Sequence, residues 1–178
     1  NVDGRKGSSF NNVGILANDS MYVFVEVTVD PNGGNQPLLI QDSVLFTVNG
    51  IRQSVLLEAY GQDVNLYKGG VTITKDSILT ANRPYLIYDS LVIAKGVSLN
   101  IEKGATFYMH DKASLIVHGS MNALGTLDEP ITFRGDRLDY ILNDILPYDR
   151  TPGQWGGITF KADSYGNVWD NVIVRNGT

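Results

Sequence analysis

Between Asp136 and Gln154 the chain gathers the side chains best suited to holding a polar ligand. Four carboxylates (Asp136, Asp139, Asp144 and Asp149) are interleaved with Arg137 and Arg150, and Tyr140, Tyr148 and Trp155 stand among them or just beyond. Carboxylates accept hydrogen bonds from sugar hydroxyls, and aromatic rings cover the apolar face of a sugar, so the combination suits a glycan. The candidate ligand-binding residues are therefore Asp136, Asp139, Tyr140, Asp144, Tyr148, Asp149, Arg150 and Trp155. The same stretch also reads as a short amphipathic helix. Leu138, Ile141, Leu142 and Ile145 then form a stripe over an apolar patch and leave the acids in water. Glycoside hydrolysis needs two carboxyl groups roughly 5 to 10 Å apart across the bond. Asp136 and Asp139 could stand one helical turn apart, but so do many surface pairs, and no catalytic residue is assigned.

Other chemistries fare worse. Calcium wants six to eight oxygen ligands, and the aspartate-rich loop closed by a glutamate is missing here. His110 and His118, the two histidines of the chain, end successive strand-like segments on different faces, so a metal site built from both is not expected. Gly153, Gly156 and Gly157 lack the Lys-Ser/Thr that completes a phosphate loop, and they precede a strand. Close backbone approach is the better account of them, with Trp155 packed beside them. Without cysteine there is no disulfide, thiolate ligand or cysteine nucleophile. No cofactor is expected.

The elements that position these residues follow from a repeat. From Leu91 to Phe133 the chain reads LVIAKG, VSLNIEKG, ATFYMHDKA, SLIVHGS, MNALGTLDEP and ITFRG, short apolar strands that mostly end in glycine or a small polar turn. Every third strand start recurs at a near-constant interval: Leu91 to Leu115 is 24, Ser98 to Met121 is 23, and Thr106 to Ile131 is 25. A chain coiling with three strands per turn produces this spacing, which predicts a right-handed parallel β-helix. The stretch DRLDYILNDILPYDRTPGQ interrupts the pattern and WGGITF restarts it. Leu91, Leu115 and Ile158 should therefore stack in one interior ladder, and Thr106, Ile131 and Asn171 should begin the strands of another face.

The first sixty residues have a different period. Met21 to Val29 alternates as a strand does. SVLFTV, Asn49-Gly50 and SVLLEAYG form a hairpin, in which Val44, Phe46 and Val48 share a face with Val55, Leu57 and Ala59. Three strands are too few to close a sandwich, so either its opening strands precede Asn1 or this half packs on the β-helix; the first is favoured, with some packing as well. The domain reading is residues 1–70 as a truncated immunoglobulin-like β-sandwich and 71–178 as the first β-helix coils, with an insertion at about 136–154. The fold class is all-β.

At 178 residues and 43% hydrophobic content the chain can bury a real core. A net charge of −5 with no basic block argues against nucleic acid as a partner. No apolar run is long enough to be a transmembrane segment. The chain begins without Met and stops inside a strand-like pattern, so it reads as an excised fragment whose open end could self-associate.

The segments PYLIYDSLVIAKG, GATFYMHDKASLIVHGSMNALGT, EPITFRGDRLD and PYDRTPGQWGGITF resemble exported, often lipid-anchored, right-handed parallel β-helix proteins of Gram-negative bacteria. NDSMYVFVEVTVDP, DSVLFTVNG and SVLLEAYGQD are similar to the back half of a Hydin-like immunoglobulin-like domain. These resemblances imply a protein of the cell surface, of the outer membrane through a lipid anchor, or of the periplasm. They supply no established chemistry, and no lyase or hydrolase motif can be matched. The function expected is a non-catalytic module that binds glycans or other cell-surface components, adheres, or acts as a spacer. The alternative is a carbohydrate-active β-helix enzyme (a polysaccharide lyase or glycoside hydrolase) whose active site lies outside these residues.

Overall fold

The computed structural model describes residues 2, 4–28, 38–138 and 147–178. Two compact units divide the chain, one ending at Gly61 and the other running from Gln62 to Thr178.

In the first unit, β1 (Leu38–Val48) and β2 (Ile51–Gly61) pair antiparallel with Val48 opposite Ile51 and Val44 opposite Val55. Asn49 and Gly50 both take positive φ, 50° and 78°, as a two-residue hairpin turn demands. Pairing in this register puts Val44, Phe46 and Val48 on one face with Val55, Leu57 and Ala59, as the alternation predicts. That face stays open: Phe46, Val48, Ile51 and Val55 are exposed. A second strand layer over it, which the immunoglobulin-like sandwich requires, is not among the described residues. Nor do residues 21–28 form the expected strand. They contribute a single bridge, Val23 to Val2, and leave Tyr22 and Phe24 in solvent. Alternation of apolar residues permits a strand, but a ladder partner makes one.

The second unit is a stack of coils. Thirteen short strands succeed one another: β3 (Asn65–Tyr67), β4 (Val71–Ile73), β5 (Ser77–Leu79), β6 (Tyr85–Ile87), β7 (Ser90–Ile93), β8 (Ser98–Ile101), β9 (Thr106–Met109), β10 (Ser114–Val117), β11 (Ser120–Leu124), β12 (Ile131–Gly135), β13 (Ile158–Phe160), β14 (Val168–Asp170) and β15 (Val172–Val174). Each pairs in parallel with the strand three places on, giving three sheets ordered β13-β10-β7-β4, β14-β11-β8-β5 and β15-β12-β9-β6-β3. This is β-helix-like architecture. Its first coil already includes β3, so it begins before residue 71. Gly69 and Gly70, with φ of 84° and 77°, turn the corner from β3 to β4.

Leu91, Leu115 and Ile158 are level with one another, as the 24-residue interval predicts. The other two ladders sit one residue away from the expected register. Ser98 pairs with Ser120 and Leu99 with Met121, while Thr106 pairs with Thr132 and Phe107 with Phe133. Val172, not Asn171, is level with Ile131, and Asn171 turns the preceding corner at φ 47°. Side chains alternate in and out along a strand, so a one-residue slip would drive serine and threonine into the core. Burial sets the register. Leu99, Met121, Phe107, Phe133 and Ile131 are all fully buried.

Aromatic rings pile up inside. Tyr85, Phe107, Phe133 and Trp169 stack in sequence with centroids 4.9, 4.5 and 5.9 Å apart and ring planes within 15° of parallel. The strand spacing of about 4.8 Å delivers Tyr85, Phe107 and Phe133, level on one ladder, each to the face of the next, and Trp169 reaches Phe133 from β14 of a neighbouring sheet. Each such contact adds about 0.5 to 1.5 kcal/mol beyond the area it buries.

Candidate functional site

The end of the insertion is fastened to the last coil. A turn of 3-10 helix, Pro147–Arg150, carries Tyr148 and Asp149 over the outward surface of β12 and β15. Phe133 is level with Val174, so the next residues, Arg134 and Arg175, are neighbours on adjacent coils. Two guanidinium groups about 5 Å apart at the backbone repel unless an anion joins them. Asp149 is that anion. Its carboxylate accepts from Arg175 Nη1 at 3.0 and 3.2 Å and lies 3.3 Å from Arg134 Nη2.

Asn176 completes the clasp. Its Nδ2 donates to the carbonyls of Tyr148, Asp149 and Thr151 at 2.9, 3.0 and 3.1 Å. Gln154 Nε2 donates to the Tyr148 and Thr151 carbonyls as well. Gly135 leaves room for the Gln154 side chain, whose amide end lies where a Cβ would stand. Trp155 is 1% exposed and sits in the hydrophobic core, with its Nε1 donating to the Arg175 carbonyl at 2.8 Å. Gly156 and Gly157 lie where the chain re-enters the coil. A Cβ on Gly156 would meet Ser114 Oγ at 2.2 Å, and Gly157 has φ 77°.

The other end of the insertion departs from a column of outward side chains. Lys68, Tyr88, His110 and Asp136 directly follow β3, β6, β9 and β12. Lys68 Nζ lies 5.5 Å from the Tyr88 ring centre, and the Tyr88 and His110 rings are 4.1 Å apart. His110 Nδ1 meets Asp136 Oδ2 at 2.6 Å. His118, after β10, is held likewise by Asp163, Nδ1 to Oδ1 3.0 Å. That hydrogen bond pulls the Asp163 carboxyl below the usual carboxylate range. Desolvation opposes the pull, and the backbone and the charges of His118 and Lys95 reinforce it. With a carboxylate as acceptor, each Nδ1 must carry the hydrogen. Among the described residues no group of three or more His, Cys, Asp or Glu converges as metal ligands do.

Of the candidates read from the sequence, Asp139, Tyr140 and Asp144 lie outside the described residues, as does most of the amphipathic stripe. Asp136 and Asp149 are both engaged with basic side chains of the coil. Tyr148 lies under the Arg137 guanidinium, 3.9 Å from its ring centre, and Arg150 is exposed. Trp155 presents no ring to a ligand. The residues that sequence reasoning missed are Arg134, Arg175, Asn176 and Asp163. Extending the coil ladder one residue past Phe133 and Val174 would have paired the two arginines.

Fold and site together define a β-helix-like solenoid with a clasped insertion. No protein-family model matches the chain, and no solved structure matches it. Over 104 residues it is 31% identical to the Drosophila melanogaster protein called Protein bark beetle, a match that covers 56% of this chain and 3% of that protein. The chain thus spans only a small part of that relative's length. None of these comparisons supports the likeness to Gram-negative lipid-anchored proteins or to Hydin-like domains.

Proposed function

We propose that the chain is a non-catalytic module working outside the cytoplasm, at a cell surface or in a periplasm, where its coils serve as a rigid spacer and adhesive surface. The observation that carries this reading is the use made of the insertion's charges. Of the described carboxylates there, Asp136 hydrogen-bonds His110, and Asp149 pairs with Arg134 and Arg175 of the coil itself. A glycosidase needs two carboxyl groups facing an open bond site; these two face side chains of the protein's own coil. Parallel ladders with a continuous apolar interior also supply stiffness along the coil axis, which a spacer requires. The solenoid is read as right-handed, the hand of nearly all parallel crossovers. The hairpin is read as part of an immunoglobulin-like neck. Among the described residues no helix is long and apolar enough to cross a membrane.

The test is a glycan array together with a reducing-end assay on the full chain. Binding without turnover supports an adhesive role, and neither binding nor turnover supports a spacer. Turnover of any polysaccharide overturns the proposal in favour of a carbohydrate-active enzyme.

A further inference from the structure

Two Asn-X-Ser/Thr triplets occur in the chain, Asn18-Asp19-Ser20 and Asn176-Gly177-Thr178. This triplet is the acceptor for N-linked glycosylation in proteins that enter a secretory pathway. The triplet rule treats the two as equals. Their surroundings do not.

Asn18 is the third residue of the Leu16–Asp19 turn, at φ 62°, and is exposed. The turn is pinned by Asp19 N donating to the Leu16 carbonyl at 3.1 Å and Ser20 N donating to Asp19 Oδ1 at 2.8 Å. Neither bond uses the Asn18 amide or the Ser20 hydroxyl, and no other described residue engages them. Asn176 is the opposite case. Its amide nitrogen, with two hydrogens, serves three carbonyls, and its Oδ1 accepts from Gly135 N at 3.4 Å. Thr178 is held as well, its N donating to the Trp155 carbonyl at 3.1 Å.

We propose that Asn18 is an N-linked glycan acceptor and that Asn176 is not, because the fold commits the Asn176 amide to closing the insertion. The inference rests on the reading of the module as one that works outside the cytoplasm. In the transfer, Asn18 Nδ2 bonds to the anomeric C1 of the first N-acetylglucosamine of a lipid-diphosphate-linked oligosaccharide. The C1–O bond to the diphosphate breaks, the lipid diphosphate leaves with the bonding pair, and one amide proton passes to base. At Asn176 the same bond would remove a hydrogen that the Tyr148–Thr151 carbonyls share, and would set a sugar where those residues pack.

The experiment expresses the full chain behind a secretion signal in cultured eukaryotic cells. The secreted, folded monomer is treated with peptide N-glycosidase in heavy-oxygen water, and the labelled sites are read by peptide mass spectrometry. Label is expected at Asn18 and absent at Asn176. Asn18→Gln should remove the one glycoform shift on a gel, and Ser20→Thr should raise occupancy. Two results would overturn the inference: a secreted, folded chain unlabelled at Asn18 in both the parent and Ser20→Thr, or label at Asn176 in folded protein. Polysaccharide turnover by a protein that carries the Asn18 glycan would sink the proposed function and leave this inference standing.

Discussion

Phe107 and Phe133 lie face to face inside the solenoid, with ring centroids 4.5 Å apart and planes 13° from parallel. They are level because β9 and β12 pair in parallel with 26 residues between equivalent positions. Tyr85 and Trp169 extend the stack on either side. Removing one ring breaks two contacts and opens a void that a tightly paired backbone cannot close. Phe133→Ala should cost about 3 to 5 kcal/mol. Phe133→Leu, which keeps most of the volume, should cost clearly less. Urea denaturation of the two variants checks this, and equal losses would mean that filled volume recovers nothing and that loss of the ring alone sets the cost.

Gly119 turns the corner between β10 and β11, where a Cβ would lie 2.1 Å from the Val97 carbonyl oxygen and 2.5 Å from that of Ala94. Both obstacles are backbone, so neither can swing aside. Gly119→Ala should destabilise the coil by about 2 to 3 kcal/mol, as overpacking against an unyielding wall does. Thermal unfolding measured by circular dichroism gives the answer, and an unchanged midpoint would contradict the close approach.

Asp149 neutralises two arginines at once, and all three groups are partly exposed. Exposure keeps the energy modest. Asp149→Asn should lower global stability by about 1 kcal/mol or less. The local effect should be larger, since Arg134 and Arg175 then repel while the insertion loses its anchor. Amide hydrogen exchange of residues 148–154 should quicken well beyond that of β7 to β11. Uniform quickening would show that Asp149 acts through global stability alone.

Two side chains give opposite pH signatures. The Asp163 carboxyl titrates lower in the folded chain than in the unfolded one, chiefly through its hydrogen bond with His118. Its contribution is present above the unfolded value near 3.8 and is lost as pH falls through the folded value. Tyr67 shifts upward, through burial first and the neighbouring Tyr85 second. Its contribution is present below the unfolded value of 10.0 and is lost as pH rises through the folded one. Acid should therefore loosen the turn at Lys161–Ser164, and alkali the first coil. Asp163→Asn should abolish the acid response of that turn, and Tyr67→Phe the alkaline response of β3, both followed by NMR. A response that persists in either variant would assign it to another group.

The likeness between Leu91, Leu115 and Ile158 was readable because each lies inside a strand bounded by its own turn, and one interval links them. Strand starts proved a poorer guide than in-out alternation for Ser98 and Thr106, since a turn can take up or release a residue without moving the buried side chains. In the first unit, alternation identified the shared face of β1 and β2 but overstated residues 21–28. Period two reports which side chains can face one way; it does not report whether a neighbouring strand is there to pair.

What the sequence determined by itself is the solenoid: apolar residues two apart, turns between them and a coil length near two dozen residues leave an all-β chain few other ways to bury its core. What only the tertiary structure decided is the fate of the outward side chains. Asp149, a candidate ligand-binding acid from the sequence, lies between Arg134 and Arg175, and three carbonyls converge on the Asn176 amide. Burial is written along the chain as a pattern, residue by residue. Pairing across 26 or 41 residues depends on the path that the insertion takes back to the coil, and no local pattern encodes that path.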